Sequence, residues 1–266
     1  MIRALLRSRT QPTALPTRRA GRMVAIASGK GGVGKTWFSV TLSHALARLG
    51  GRVLLLDGDL GLANVDIQLG LVPEHDLASL VAGRVSLADA ILRHGAGFDI
   101  LAGRSGSGAL SALDPTLLER VLALVAAERA HDRVLLDLGA GVDRSMRRMA
   151  AAADTLLVVV TDDPTSLTDA YAVLKLHALD RPQAVWEEGD VRVVINQATS
   201  QAAGERTYAT LARACEAFIR RRPDLAGIIR RDDHVRDAVR RQTPLLTRHP
   251  GCDAARDVER VASLLV

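Results

Sequence analysis

A glycine-rich octapeptide near the start of the chain has the residue types needed to hold phosphate groups. It reads Gly29-Lys30-Gly31-Gly32-Val33-Gly34-Lys35-Thr36, between an apolar run and a helix-length segment. This matches GxxxxGK[ST] in a strand–loop–helix context. Glycines let backbone N–H groups turn toward a polyanion, and the N-terminus of the following helix adds partial positive charge. We expect Lys35 to reach the β- and γ-phosphates of a nucleoside triphosphate and the Thr36 hydroxyl to bind Mg²⁺.

The distribution of lysine along the chain indicates that the octapeptide specifically requires lysine in place of arginine. Of the 35 basic residues only Lys30, Lys35 and Lys175 are lysines, and two of these three lie in the octapeptide. A compact ammonium can point at phosphate oxygens inside a tight loop, whereas a planar guanidinium needs more room.

Two apolar runs end in acidic residues that could complete a metal site. The run 53–56 is followed by Asp57-Gly58-Asp59, and the run 134–136 is followed by Asp137-Leu138-Gly139. An acid after a buried strand is the Walker B arrangement, which holds Mg²⁺ directly or through water. We therefore predict Thr36, Asp57 and Asp137 as the metal-binding residues. A lone aspartate at a strand end is often a turn former, but two of them beside a phosphate loop favour the metal site.

Lys30 distinguishes this loop from an ordinary phosphate loop, which has no lysine directly after its first glycine. The segment KGGVGKT resembles the deviant Walker A motif of the MinD/ParA ATPases. The resemblance implies binding of ATP and Mg²⁺, slow hydrolysis, and an ATP-dependent homodimer in which Lys30 reaches the nucleotide of the partner. It makes Lys30 and Lys35 catalytic and extends the nucleotide-binding segment from Gly29 to Trp37.

The segment DGDLGLANVD, residues 57–66, resembles the first switch of the FlhG/FleN branch of this family, the regulators of flagellar number. The resemblance implies that Asp59 positions the attacking water and that Asp57 lies near the metal. Asp137 with its two following glycines resembles the second switch, and Asn196 corresponds to the asparagine that contacts adenine. The similarity extends over roughly residues 23–265, and the segment Pro164-Thr165-Ser166-Leu167-Thr168-Asp169-Ala170-Tyr171 favours this branch over MinD or ParA.

Several positions depart from the family pattern. Trp37 stands where relatives carry a small polar residue, and we expect it to pack against the sheet. Arg230 replaces a proline near the adenine. In the first 22 residues only Gln11 corresponds to the element with which FlhG proteins stimulate an FlhF-like GTPase partner. The C-terminal residues 258–265 have apolar positions that favour packing on the body over insertion into a membrane.

The elements that must position these residues alternate between short apolar runs and helix-length segments. We predict strands at 23–27, 53–56, 98–101, 134–136, 155–160, 191–195 and 226–229, and helices at 35–49, 115–129, 168–179 and 204–220. Continuous Val/Ile/Leu runs are typical of strands buried on both faces. The prediction is a single α/β domain, residues 23–266, with a mostly parallel sheet between helices and its ligands at the carboxyl ends of the strands.

Composition and the distribution of charge limit the classes of protein to which the chain can belong. The chain has 266 residues, 48% of them hydrophobic, and a net charge of +5. Residues 1–22 hold six arginines and no acid, so the rest has 29 basic and 30 acidic residues, a net charge of −1. We expect a flexible basic tail before the domain, with an organelle transit peptide or a short basic amphipathic turn as the alternative interpretations. Two cysteines without a CxxC argue against a zinc site, an iron–sulfur cluster and a disulfide framework, and therefore against a metal-cluster carrier. They favour a cytoplasmic protein, and the histidines show no metal-ligand spacing.

The segment 213–248 leaves a second function open. It contains ten arginines and five acids, as a ParA-like ATPase that positions DNA or other cargo would require. A solvated basic helical face is the alternative interpretation, because no aromatic residues alternate with the charges.

Overall fold

Eight strands form one sheet within residues 22–103, 115–181, 186 and 189–266, which the computed structural model describes. The strands are β1 Arg22–Ser28, β2 Val53–Gly58, β3 Ile91–Arg93, β4 Asp99–Leu101, β5 Arg133–Ala140, β6 Thr155–Val160, β7 Val191–Ala198 and β8 Asp224–Arg230. The helices are α1 Lys35–Arg48, α2 Val65–Leu69, α3 Leu77–Val81, α4 Leu87–Ala90, α5 Pro115–Ala127, α6 Arg144–Ala152, α7 Pro164–Asp180, α8 Gln201–Ile219, α9 Asp233–Arg240, α10 Leu245–Arg248 and α11 Asp253–Ser263.

The strand order places the phosphate loop at the centre of the sheet. The order is β3-β4-β2-β5-β1-β6-β7-β8, and every neighbouring pair except β3 and β4 is parallel. In the pairing of β2 with β5, Asp57 lies opposite Asp137. The carboxyl ends of β1, β2 and β5 therefore bring the glycine loop and both predicted acids to one edge of the sheet.

Helices cover both faces of the sheet, because alternate side chains of each strand point to opposite sides. In β1, Ala25 belongs to the core beneath α5–α8, while Ile26 belongs to the core beneath α1 and α9–α11. Residues of β2 and β5 divide in the same way. This confirms the predicted α/β fold with a mostly parallel sheet between helical layers.

The seven predicted strands and four predicted helices are all present, with some different ends. The helix predicted from Thr168 begins at Pro164, because Asp163 caps its N-terminus and proline suits the first turn. The antiparallel edge strand β3 was not predicted, since a three-residue run carries too little pattern. Side chains of Val258, Val261 and Leu265 are buried, as expected for a C-terminal segment that packs on the body.

The predicted basic tail lies almost wholly outside the described residues, which begin at Arg22, the first residue of β1. Among the described helices, none is long and apolar enough to cross a membrane.

Candidate nucleotide-binding site

The glycine loop between β1 and α1 has a backbone that only glycine adopts readily. Gly32 and Gly34 have φ angles of 81° and 87°, in the left-handed region. A Cβ atom at Gly29 would lie 2.3 Å from the backbone carbon of Asp169, so α7 packs directly against the loop. A Cβ at Gly31 or Gly32 would meet nothing within 4 Å, so this part of the loop borders open space.

The N-terminus of α1 faces the same space. Gly34 precedes the helix without any side chain to cap it, and the first turn contains no acidic residue. The first N–H groups of α1 are therefore available to an anion, together with the positive end of the helix dipole.

Lys35 and Asp137 form a buried ion pair beneath the loop. The Lys35 Nζ lies 2.9 Å from Asp137 Oδ1, and their side chains are 7% and 0% exposed. The Ser39 hydroxyl donates to the same oxygen at 2.8 Å. The second carboxylate oxygen, Oδ2, is buried and has no hydrogen-bond partner among the residues that the structure describes. A buried, unpartnered carboxylate oxygen beside a phosphate loop suits a hydrated Mg²⁺.

Asp57 lies next to Asp137 in the sheet and holds the loop that follows β2. Its Oδ2 accepts from the backbone N–H groups of Asn64 and Val65, each at 2.9 Å, and its Oδ1 accepts from Asp59 at 3.2 Å. Burial, followed by the negative charge of Asp137, raises the pKa of Asp57 to about 7, and the three N–H donors only partly oppose this. A cation beside these carboxylates would favour the ionised form.

Asp59 connects the two segments predicted to be switches. Its Oδ1 accepts from the N–H groups of Gly61 and Leu62, at 3.2 and 2.9 Å. The same oxygen would be 3.5 Å from a Cβ at Gly139, so the first segment contacts the second. Asp59 also lines the cleft that contains Lys30, Lys35 and Thr36.

Lys30 stands at the rim of this cleft with its side chain 39% exposed. Its ammonium lies 2.9 Å from Asp163 Oδ2 and 2.6 Å from Thr165 Oγ1, at the start of α7 in the same chain. Hydrogen bonds from Lys30 and Thr165 lower the pKa of Asp163 to about 2. In the single chain this lysine therefore has an intramolecular partner.

Asn196 supports the loop from the end of β7. Its Nδ2 donates to the Val33 carbonyl at 2.7 Å, and its Oδ1 accepts from the Gln197 N–H at 2.9 Å. It also lines a second cleft of about 290 Å³, together with Trp37 and Arg230. This cleft adjoins the larger one of about 660 Å³ that holds the phosphate loop. The contact of Asn196 with adenine stays a prediction.

Two of the departures from the family pattern, Trp37 and Arg230, have defined environments. Trp37 is 7% exposed and belongs to the core beneath α1, as predicted, while it borders both clefts. The Arg230 guanidinium is held by Asp257, with Nε 2.9 Å from Oδ2, and by Asp253 at 3.0 Å. These bonds fasten the end of β8 to α11.

The sequence pattern predicted the residues of the glycine loop and its acids, but it did not predict the side chains that support them. Ser39 follows Lys35 by one helical turn, so its place beside Asp137 could have been found from helical spacing. The pairing of Lys30 with Asp163 and Thr165 joins positions more than 130 residues apart and had no local signal. Four arginines of the basic segment line the clefts: Arg230, Arg231, Arg236 and Arg240.

The site can be compared with known proteins. Residues 24–245 match the model of the CobQ/CobB/MinD/ParA nucleotide-binding domain. The antiactivator FleN of Pseudomonas aeruginosa is 38% identical over 91% of this chain and 85% of its own length. The flagellum site-determining protein YlxH of Helicobacter pylori is 26% identical over 92% of this chain and 82% of its own length.

Solved structures agree with the fold. The cell division ATPase MinD of Pyrococcus furiosus superposes with a TM-score of 0.76 and 24% identity, over 92% of this chain and 98% of its own. MinD of Pyrococcus horikoshii, complexed with Mg-ADP, superposes with a TM-score of 0.75 and 24% identity, over 92% and 96% of the two chains.

Proposed function

Since the chain belongs to the CobQ/CobB/MinD/ParA nucleotide-binding family and is a MinD/ParA-type ATPase, we propose that it is a switch that dimerises with ATP and Mg²⁺. Hydrolysis would return it to the single chain and release its partners. The observation that carries this proposal is the combination of a buried Lys35–Asp137 pair beneath the loop with an exposed Lys30 at its rim.

The residues of the cleft have distinct roles in this proposal. Lys35 and the glycine-loop N–H groups bind the phosphates, and Thr36 with Asp57 and Asp137 holds the metal. When bound, Mg²⁺ would neutralise part of the negative charge on the phosphate oxygens. Asp59 orients the attacking water through Oδ2, for which the described residues provide no hydrogen-bond donor, and two backbone N–H donors to Oδ1 keep the side chain in place.

The surface around the cleft suits contact with a second copy of the chain. Leu62, Ile67 and Val239 are exposed by 73%, 56% and 38%, and all three border the phosphate cleft. Apolar side chains grouped around a charged cleft are typical of a surface that is covered in some state of the protein. Lys30 lies on the same rim, where it could exchange its intramolecular partners for phosphate oxygens of the second subunit.

The biological role that we propose is FlhG-like control of the number or placement of flagella. The support is the identity to the antiactivator FleN over most of both chains, together with the relative whose name marks it as flagellum site-determining. An FlhF-like GTPase or a flagellar regulator would be the partner of the dimer. Gln11, the residue that hints at GTPase stimulation, lies outside the described residues. A cytoplasmic location stays a prediction, with a peripheral position at the membrane or cell pole as the alternative.

The experiment is replacement of the chromosomal gene by variants, with flagella counted by electron microscopy and ATPase activity measured on the purified proteins. Thr36→Ala should abolish hydrolysis and give the flagellar pattern of the deletion strain. Asp59→Ala should also abolish hydrolysis but give the opposite pattern, because it keeps the ATP-bound dimer. Unaltered flagella in both variants, with hydrolysis lost, would exclude the flagellar role while leaving the ATPase assignment intact.

ParA-like binding of DNA has less support from the basic segment. Arg222, Arg230, Arg241 and Arg248 form ion pairs with acids of the same chain. Three further arginines line the nucleotide clefts. DNA binding that requires ATP and weakens steeply with salt would favour this alternative.

A further inference from the structure

A mixed group of side chains lies beside the second cleft, which Asn196, Trp37 and Arg230 line, and outside the phosphate site. Asp232, His234 and Cys252 each place one potential ligand atom so that the three atoms lie within 4.8 Å of one another. They supply an oxygen, a nitrogen and a sulfur. The sequence pattern argues against a zinc site, because no CxxC is present and Cys252 is 18 residues from His234 without a familiar metal-binding spacing. The fold brings the two residues together.

The fold positions two of the three by capping helices. Asp232 precedes α9 and accepts from the His234 N–H at 3.0 Å and from the Ala254 N–H at 3.2 Å. Cys252 precedes α11, where its sulfur accepts from the Ala255 N–H at 3.4 Å. The N-termini of α9 and α11 are thereby held together, so the donors are brought together before any ligand arrives.

Two of the three side chains are in direct contact, and the third lies close to them. His234 Nδ1 lies 2.8 Å from Asp232 Oδ1. Burial alone would raise the pKa of Asp232, but hydrogen bonds from His234, Ala254 and Cys252 lower it to about 2, so this carboxylate is ionised. Burial, with Asp232 nearby, raises the pKa of the Cys252 thiol.

A second histidine stands beside the group. The rings of His234 and His249 are 4.5 Å apart between centroids. His249 Nε2 lies 2.8 Å from Asp237 Oδ2, the carboxylate–histidine contact that commonly orients a metal-bound imidazole through its other nitrogen. A fourth position of a tetrahedral site could be filled by His249 after a rotation or by water.

We propose that Asp232, His234 and Cys252 bind a zinc ion. Zinc accepts sulfur, nitrogen and oxygen together at about 2.0–2.3 Å in tetrahedral geometry, whereas Mg²⁺ and Ca²⁺ select oxygen ligands. On binding, the Cys252 sulfur forms a bond to the ion and its proton passes to solvent, with no change of oxidation state. The ion would join the start of α9, which forms a wall of the second cleft, to the start of α11.

The test uses metal-free full-length protein with Co²⁺ as a spectroscopic substitute, in the presence of a phosphine reductant. One equivalent of Co²⁺ should give intense visible bands of a tetrahedral site and a thiolate-to-cobalt charge-transfer band in the near ultraviolet. One equivalent of Zn²⁺ should abolish both. Cobalt held only by oxygen ligands of the phosphate site would give a weak spectrum without the thiolate band, and this result would overturn the proposal.

Variants identify the ligands. Cys252→Ser keeps a good helix cap and should lose the thiolate band, and His234→Ala should weaken Zn²⁺ binding at least tenfold. Cys215→Ala is the matched control, because Cys215 lies on α8 and is buried in the core. This variant should keep the thiolate band. Persistence of the band in Cys252→Ser, or its loss only in Cys215→Ala, would contradict the proposal. Circular dichroism of each variant verifies folding.

Discussion

The Lys30 ammonium is bound by Asp163 of its own chain, 2.9 Å from the carboxylate, at the rim of the phosphate cleft. This contact competes with the intermolecular role that we propose for Lys30. The pair is exposed and screened by solvent, so its contribution to the free energy is small. The single chain can therefore release Lys30 at little cost when a second subunit offers phosphate oxygens.

The first prediction concerns this competition. Asp163→Asn removes the charge that holds Lys30 but keeps a residue that caps α7 well. We expect the ATP-dependent dimer to become tighter, by about fivefold at most, as the size of an exposed ion pair allows. Analytical ultracentrifugation over a range of concentrations measures the change. A weaker dimer in this variant would mean that Asp163 itself contributes to the interface.

The second prediction is a pH dependence of Mg-nucleotide binding. The pKa of Asp57 is raised to about 7 without a cation, and a bound Mg²⁺ favours its ionised form, so binding must release a proton from this carboxyl. Affinity should rise with pH up to about 7 and then level off, with about a tenfold loss per unit below. Calorimetry in buffers of different ionisation enthalpy counts the protons.

The nucleotide's own phosphate titrates in the same range, so the comparison is between the wild type and Asp57→Asn. Both share the phosphate contribution, and only the wild type has the carboxyl. Equal proton release by the two proteins would show that Asp57 does not change its protonation state on binding.

The third prediction concerns support of the glycine loop from β7. Asn196→Ala removes a buried donor to the Val33 carbonyl, so we expect a loss of about 1–3 kcal/mol in the free energy of unfolding. Nucleotide affinity should fall with it. Gln197→Ala is the control, because the Gln197 side chain makes an exposed contact of 3.5 Å with Gly32, and its effect should stay within about 0.5 kcal/mol. Urea denaturation measures the free energy of unfolding of both variants. Equal losses in the two would contradict a specific role of Asn196 in supporting the glycine loop.

The fourth prediction uses the two tryptophans, Trp37 and Trp186. Trp37 borders both clefts, so in the variant Trp186→Phe its emission should change on addition of Mg-ADP and saturate with the nucleotide. In Trp37→Phe the remaining Trp186, which stacks against Arg221, should give no such change. A response confined to Trp186 would place the nucleotide elsewhere.

The central strands and the phosphate loop could be predicted from sequence because each depends on a local pattern. Val53–Leu56 and Thr155–Val160 are continuous apolar runs, and the loop combines a spacing with a composition. The placement of Asp57 and Asp137 at the same edge of the sheet followed from the parallel arrangement of β2 and β5. None of these predictions required knowledge of a particular side-chain contact between distant residues.

Contacts between distant residues were not predictable in the same way. The Lys30–Asp163 pair and the Asp232–His234–Cys252 group depend on how α7, α9 and α11 are oriented over the sheet. Their spacing in the chain has no period that hydrophobic patterning could reveal. The edge strand β3 was missed for a different reason, since its pairing with β4 decides its conformation more than its own residues do.

The most direct test of the switch is the mass of Asp59→Ala in solution with ATP and Mg²⁺, measured by size-exclusion chromatography with light scattering. This variant should bind ATP without hydrolysing it and run as a dimer, and Lys30→Ala added to it should restore the single chain. A mass of one subunit at saturating ATP, with binding verified on the same sample, would contradict the account.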